Sequence, residues 1–220
     1  MIACVFDLHV HTTLSPCADR GMTPLAVALR AMDQGLSLIA LCDHDLVGGA
    51  QMWRTQSDGH DLVVLDGVEI TTLEQVHLLG IFPDFATARA MALELGLPIC
   101  EEMRGPRPEP SLLEAVHSIH RAGGLAIAAH VDRPSSGLIG RMGAVPPGVS
   151  LDALELSALG IARAGELGLE RFGLPVIVGS DAHDLSEIGQ AFSCLPMEYP
   201  CFDELMIALR ERYDRRCDCA

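Results

Sequence analysis

The feature that most constrains this chain is a recurrence: short apolar runs of strand length, most of them ending in an acid or a histidine. Ile2–Leu8 leads into Asp7-Leu8-His9-Val10-His11, and Ser37–Cys42 into Asp43-His44-Asp45. Leu62–Leu65 is followed by Gly67-Val68-Glu69, and His77 lies within the run Val76–Phe82. Leu125–Ala129 ends at His130, and Pro175–Val178 runs into Ser180-Asp181-Ala182-His183. Between these runs the pattern turns helical. Thr23-Pro24 offers an N-cap and a first helical residue, and Gly35 offers a stop. Helical segments are predicted over Ala86–Leu95, Leu112–Arg121, about Ile161 to Phe172, and Phe202–Arg212. Ala153–Leu156 reads as a further strand. Such alternation marks the α/β class, and seven or so units predict a barrel-like domain over residues 1–213, with 214–220 as a C-terminal tail.

Composition narrows the function. The chain has 220 residues, 49% of them hydrophobic, enough for one sizeable core. A formal charge of −15 opposes a phosphate backbone, so a broad basic nucleic-acid surface is not expected. The sequence contains neither Lys nor Asn, which excludes a Schiff-base lysine, a P-loop lysine and a Cys-His-Asn triad. Of the 8 cysteines, Cys4, Cys17, Cys42, Cys100, Cys194 and Cys201 form no CxxC pair, and Cys217 and Cys219 sit in the charged tail, read as a frayed end. Met1–Phe6 lacks a basic signal-peptide start and no apolar run approaches a membrane span, so a reducing cytoplasm is the expected compartment.

In a parallel barrel the strand C-termini converge on one face, and that face carries the chemistry. Imidazole nitrogen and carboxylate oxygen bind divalent ions such as zinc, manganese or iron. His9 and His11, two apart on a strand, share a face, and Glu69 has two oxygens with which to bridge two ions. A lone HxH among 9 histidines is weak, and a lone buried histidine is more often a packed core residue; six acid/His groups, most at strand ends, are a different matter. Adjacent ions suit in-line displacement at phosphorus. His117 and His120, three apart on a helix, read as surface or packing residues, and His60 as a turn residue.

The motif set resembles the PHP family, named for polymerase and histidinol phosphatase. The matching residues are Asp7-Leu8-His9-Val10-His11-Thr12, Asp43-His44-Asp45, Gly67-Val68-Glu69, Val76-His77, Ala129-His130 and Gly179-Ser180-Asp181-Ala182-His183. The resemblance implies a distorted TIM-like (β/α)7 barrel and two or three divalent ions. His9, His11, Glu69 and Asp181 would hold the first; Glu69 would bridge to a second on His77 and His130; His44 and His183 would hold a third. The third site in the family has another ligand shortly after the HxH pair, where this chain offers Cys17 or Asp19.

The reaction so implied is metal-dependent hydrolysis of a phosphate ester on a small metabolite or nucleotide. The alternatives are a nuclease acting on nucleic-acid ends and a non-catalytic metal-binding module. Arg133 is the expected phosphate clamp, since guanidinium matches two phosphate oxygens at once, with Arg163 behind it. Asp181 or His183 would protonate the leaving oxygen. The Gly- and Pro-containing stretch Asp132–Ser150 reads either as a surface loop or as a flap over the site.

Overall fold

The computed structural model describes residues 1–54, 61–100 and 108–217. His60 and Cys219 lie outside these residues. The chain runs β1 (Ile2–Val10), α1 (Pro24–Asp33), β2 (Leu38–Leu41), α2 (Gly49–Arg54), β3 (Val63–Thr71), β4 (His77–Phe82), α3 (Phe85–Leu95) and α4 (Leu112–Arg121). It continues through β5 (Leu125–Ala128), α5 (Leu138–Met142), β6 (Ala153–Leu156), α6 (Ala164–Leu167), β7 (Val176–Val178), β8 (Ser193–Met197) and α7 (Phe202–Cys217). One 8-stranded sheet, in the order β7-β6-β5-β4-β3-β2-β1-β8, curls into a nearly closed barrel. The seven expected strands are all present, and the fold is the α/β barrel that the alternation predicts.

Two strands run against the rest. β4 is antiparallel to both β3 and β5, so His77, its first residue, pairs with Thr71 at the end of β3 and lies at the same mouth as the other strand ends. β8, which the sequence pattern does not announce, is antiparallel to β1. Its Pro196 argues against a strand, but proline is tolerated on a sheet edge, where no ladder donor is needed. β3 runs on to Thr71, well past Leu65. Asp66-Gly67 looks like a turn in sequence; here Asp66 is buried, and a Cβ on Gly67 would lie 2.4 Å from Cys42 Sγ. The helical segment 161–172 is broken into α6 and two flanking turns, because Gly168 adopts a left-handed conformation (φ 55°). Asp132–Ser150 is neither a bare loop nor a free flap, since α5 inserts the buried Leu138 and Ile139 into the core. α7 continues through Cys217, so much of the expected tail is helix.

The barrel interior is apolar below and polar at the mouth, and the change follows a period of two along the strands. Leu65-Gly67-Glu69, Ile81-Leu79-His77, Ala153-Glu155 and Ile177-Gly179-Asp181 each step from core to mouth on one face. The open seam between β7 and β1/β8 is stitched at two levels. Ser193 Oγ accepts from Val178 N (2.7 Å) and donates to Val178 O (3.1 Å). Nearer the mouth, Asp7 accepts from Ser180 N (3.1 Å) and Ser180 Oγ (2.5 Å), and His11 N donates to Ala182 O (3.0 Å). Burial pushes the Asp7 carboxyl up to about 7 against these hydrogen bonds.

Because the buried Ser193 hydroxyl alone bridges the seam at Val178, Ser193→Ala should lower the unfolding free energy by about 1–3 kcal/mol. Chemical denaturation reads this directly; an unchanged midpoint would mean that the seam is held elsewhere.

Candidate metal centre

Glu69 is fully buried, and imidazoles surround it. Its Oε1 lies 2.7 Å from His77 Nδ1 and 3.0 Å from His130 Nε2. Its Oε2 lies 2.9 Å from His44 Nδ1, 3.3 Å from His11 Nε2 and 3.4 Å from His9 Nε2. Asp181 Oδ1 completes one side of the cluster, 2.9 Å from His11 Nε2 and 3.2 Å from His9 Nε2. With His183, whose ring centroid lies 4.1 Å from that of His11, all eight residues expected as ligands reach one mouth.

Backbone irregularities deliver the residues that strand alternation would turn away. Leu8 belongs to the interior core, so simple alternation would turn His9 away from it. The β1–β2 register shifts between Asp7 and Val10, after which Val10 packs with the outer core and His9 and His11 face the mouth. His130 turns after Ala129 with φ 27°; Asp181, already on an inward row, also has a positive φ of 52°. Non-glycine residues in this region are strained, a condition that concentrates at functional sites.

Hydrogen bonds fix the two key rings. The one proton of Ser15 Oγ goes to Asp43 Oδ1 (2.7 Å), so His11 Nδ1, 2.9 Å from Ser15 Oγ, must be the donor in that contact. His9 Nδ1 faces both oxygens of the buried Glu155 (2.9 and 3.2 Å), a carboxylate that only accepts. In the neutral tautomers the two Nε2 lone pairs then face each other at 3.2 Å, beside two carboxylate oxygens. Such a set repels itself unless a cation sits among it.

The dimensions fit one. Ligand arms of about 2.0–2.1 Å give a tetrahedron with edges of about 3.3–3.4 Å. The five separations that involve a ring nitrogen among His9 Nε2, His11 Nε2, Glu69 Oε2 and Asp181 Oδ1 run from 2.9 to 3.4 Å, and the two carboxylate oxygens lie within 4.8 Å of each other. Glu69 Oε2 makes no well-aligned hydrogen bond although three ring nitrogens lie within 3.4 Å, as expected of an atom placed for a metal. The charge balance agrees. Burial alone would lower His9, but Glu155, Asp181 and Glu69 raise it well above its ordinary value. Burial would raise Glu69, but His9 and the other rings hold it well below the carboxylate range.

Donor atoms converge in three overlapping groups: His9, His11, Glu69 and Asp181; His44, Glu69 and His77; and His11, His44 and His183. Glu69 is shared between the first two, and His130 stands beside the second, 3.3 Å from His77. Neither Cys17 nor Asp19 falls in the third group; Cys17 is exposed, and Asp19 Oδ1 accepts from Gly21 N. His11, whose Nε2 also faces the first group, stands beside His44 and His183 there. His183 Nδ1 lies 2.8 Å from Asp181 O, and its ring is lowered by burial and by the neighbouring His11.

Arg133 lies at this site, with Nη2 2.6 Å from Asp181 Oδ2. Arg163 stands outside it, exposed and paired with Glu166 (3.4 Å). His117 is exposed, and His120 Nε2 lies 2.8 Å from Asp152 Oδ2, both as read from the sequence. Sequence reasoning missed Glu155, Ser15 and Asp132. Glu155 did leave a signal, a single acid inside the apolar run Ala153–Leu156.

Comparison with known proteins agrees with this picture. Residues 164–213 match the model of the PHP-associated family. A 5'-3' exoribonuclease of Haemophilus influenzae is 32% identical over 91 residues, 40% of this chain and 32% of that protein. A 3',5'-nucleoside bisphosphate phosphatase of Chromobacterium violaceum is 34% identical over 101 residues, 44% of this chain and 33% of that protein. The chain therefore spans about a third of the length of these curated relatives. A lesion-specific endonuclease of Pyrococcus furiosus shares the fold with a TM-score of 0.78 at 19% identity, covering 96% of this chain and 56% of that one. The barrel, the motif set and these matches bear out the resemblance to the PHP family. Among the described residues no helix is long and apolar enough to cross a membrane.

Glu155 holds the His9 ring in place, so Glu155→Ala should weaken divalent-ion affinity about 10–100-fold while the far-ultraviolet circular dichroism stays intact. Metal titration of both proteins checks this, and equal affinities would remove Glu155 from the site.

Proposed function

We propose that the chain hydrolyses phosphate esters with the help of divalent ions, zinc, manganese or iron, and that its substrate is a small phosphorylated metabolite or nucleotide. The observation that carries this reading is the four-donor cage sharing Glu69 with a second donor group. His9, His11, Glu69 and Asp181 would hold one ion, with His44, His77 and His130 taking another across Glu69 and His183 serving the third group. Bound ions at such spacing supply an activated water and neutralise phosphoryl oxygens.

The remaining work falls to the chain's own groups. Among the described residues Arg133 is the arginine seen in contact with the cage, and the donors of its guanidinium that do not face Asp181 can meet a phosphoryl oxygen. Of the two candidates for protonating the leaving oxygen, Asp181 has both oxygens engaged, one by imidazoles and one by Arg133. That leaves His183, whose side chain is 27% exposed, a role it can fill only while its outer nitrogen carries a proton and not an ion of the third group. Asp132 and Asp43 orient and do not react: Asp132 holds Ser157, and Asp43 holds Thr12 and Ser15.

A second reading, hydrolysis at nucleic-acid ends, is favoured by the exoribonuclease relative and the endonuclease with the same fold. The charge of −15 weighs against a long nucleic-acid track. A phosphate-release screen over sugar phosphates, nucleotides and short oligonucleotides, run on the metal-loaded chain, separates the two. Release from none of them overturns both.

Glu69→Ala should lose bound metal and phosphate release together; retention of both would disprove the bridging role. Arg133→Ala should keep its metal and lose about 2–4 kcal/mol of transition-state stabilisation, and Arg133→Lys should recover only part. Loss of metal from Arg133→Ala would show that its main task is to hold Asp181.

A further inference from the structure

The side chain of Arg133 is 41% exposed, and its guanidinium meets the cage at Asp181 Oδ2 (2.6 Å). A long side chain in that setting keeps much of its rotamer freedom, and any play in its backbone widens the spread of positions at its tip. The backbone beneath Arg133 has little play. On one side Gly140 N donates to Val131 O (2.7 Å) and Gly137 N to Arg133 O (2.9 Å). These approaches are so close that a Cβ on Gly137 would collide with His130 O, and one on Gly140 with Arg133 O.

On the other side Val131 N donates to Glu155 O (2.8 Å), and the Asp132 carboxylate reaches the residue that follows β6. Its Oδ1 accepts from Ser157 N (2.9 Å) and its Oδ2 from Ser157 Oγ (2.7 Å). Gly160 closes on the same carboxylate, where a Cβ would lie 2.5 Å from Asp132 Cγ. Ser157 is buried, which keeps water from competing for these bonds. A carboxylate beside a metal centre can hold an ion, exchange a proton or hold a backbone. Asp132 belongs to none of the three donor groups among the described residues, and Ser157 engages both of its oxygens. Its task is therefore the backbone. Of the two functional neighbours, His130 is fastened separately, its N–H donating to Glu155 Oε1 (3.0 Å), whereas Arg133 follows Asp132 directly.

Resting on the phosphoesterase reading, we infer that Asp132, through Ser157, is a positioning residue for Arg133: it fixes the backbone from which the guanidinium reaches a phosphoryl oxygen. Groups that act through one another lose additivity, and this separates positioning from general support of the fold.

The test is a double-mutant cycle on the full, metal-loaded chain with Asp132→Ala, Arg133→Ala and both together. Inorganic phosphate is the bound probe and p-nitrophenyl phosphate the ester. Calorimetry reads phosphate affinity, nitrophenol absorbance reads kcat/KM, and metal analysis reads the ions held. Asp132→Ala should keep its ions and lose about 10–100-fold in kcat/KM, the size of an ångström-scale misplacement, with phosphate affinity falling in parallel. In the Arg133→Ala background the same substitution should cost less than about twofold. Asp132→Asn should restore most of both, since its amide oxygen accepts from Ser157 N and its NH2 donates to Ser157 Oγ. Ser157→Ala is the milder variant should Asp132→Ala fold poorly, and its smaller loss should vanish in the Arg133→Ala background in the same way.

Equal losses in the two backgrounds would mean that Asp132 merely supports the fold, and loss of ions from Asp132→Ala that it serves His130. Asp132→Asn as poor as Asp132→Ala would mean that its charge is what matters. Each of these overturns the inference. So does wild type that fails to bind phosphate, or Arg133→Ala that binds it unchanged, because Arg133 then meets no phosphate. Phosphate affinities that follow the cycle, without turnover of any screened ester, support the positioning role and sink the hydrolase reading alone.

Discussion

Everything at the mouth of this barrel depends on one buried carboxylate. Glu69 is removed from water and faces five imidazoles, at 2.7 Å to His77, 3.0 Å to His130, 2.9 Å to His44, 3.3 Å to His11 and 3.4 Å to His9. Burying a carboxylate is costly unless positive charge meets it. Two further buried acids stand close by, Asp181 and Glu155, so the cluster needs cationic charge, as protons or as metal. The hydrogen bonds of Ser15 and Glu155 favour metal, because they spend the outer nitrogen of each ring and leave the inner one with its lone pair.

The barrel supplies this arrangement cheaply. Strand alternation carries an apolar interior upward and ends it in donors, so Glu69, His77, Glu155 and Asp181 lie on rows that start with Leu65, Ile81, Ala153 and Ile177. Local irregularities add others: the shifted register in β1 for His9 and His11, and positive φ at His130. Gly179 matters for the same reason, since a Cβ there would lie 2.6 Å from Glu155 Oε2 and 3.1 Å from His9 Cβ. The positive φ at His130 and Asp181 lies at the mouth, and the apolar rows beneath hold it in place.

Much of this was legible in the sequence because charged residues are uncommon in strand-length apolar runs. Each of His9, His44, Glu69, His130 and Asp181 interrupts or ends such a run, and one face of a barrel collects them. What was not legible depended on long-range pairing. β8 hides behind Pro196, β3 looks finished at Asp66-Gly67, and the segment 161–172 reads as one helix until Gly168 breaks it. Glu155 and Asp132 were missed because their meaning lies in partners far along the chain, His9 and Ser157.

If the mouth is built around cations, then binding them must stabilise the fold, because the cage exists only when β1, β3 and the segment after β7 are in place. The most direct measurement is the unfolding free energy of the full chain with a chelator and then with a divalent ion at saturating concentration. At an ion concentration about 100 times the dissociation constant, the gain should be about 2.7 kcal/mol, and it should grow with the logarithm of concentration. A stability that is the same in chelator and in zinc, manganese or iron would contradict a metal role for Glu69 and its ring of histidines.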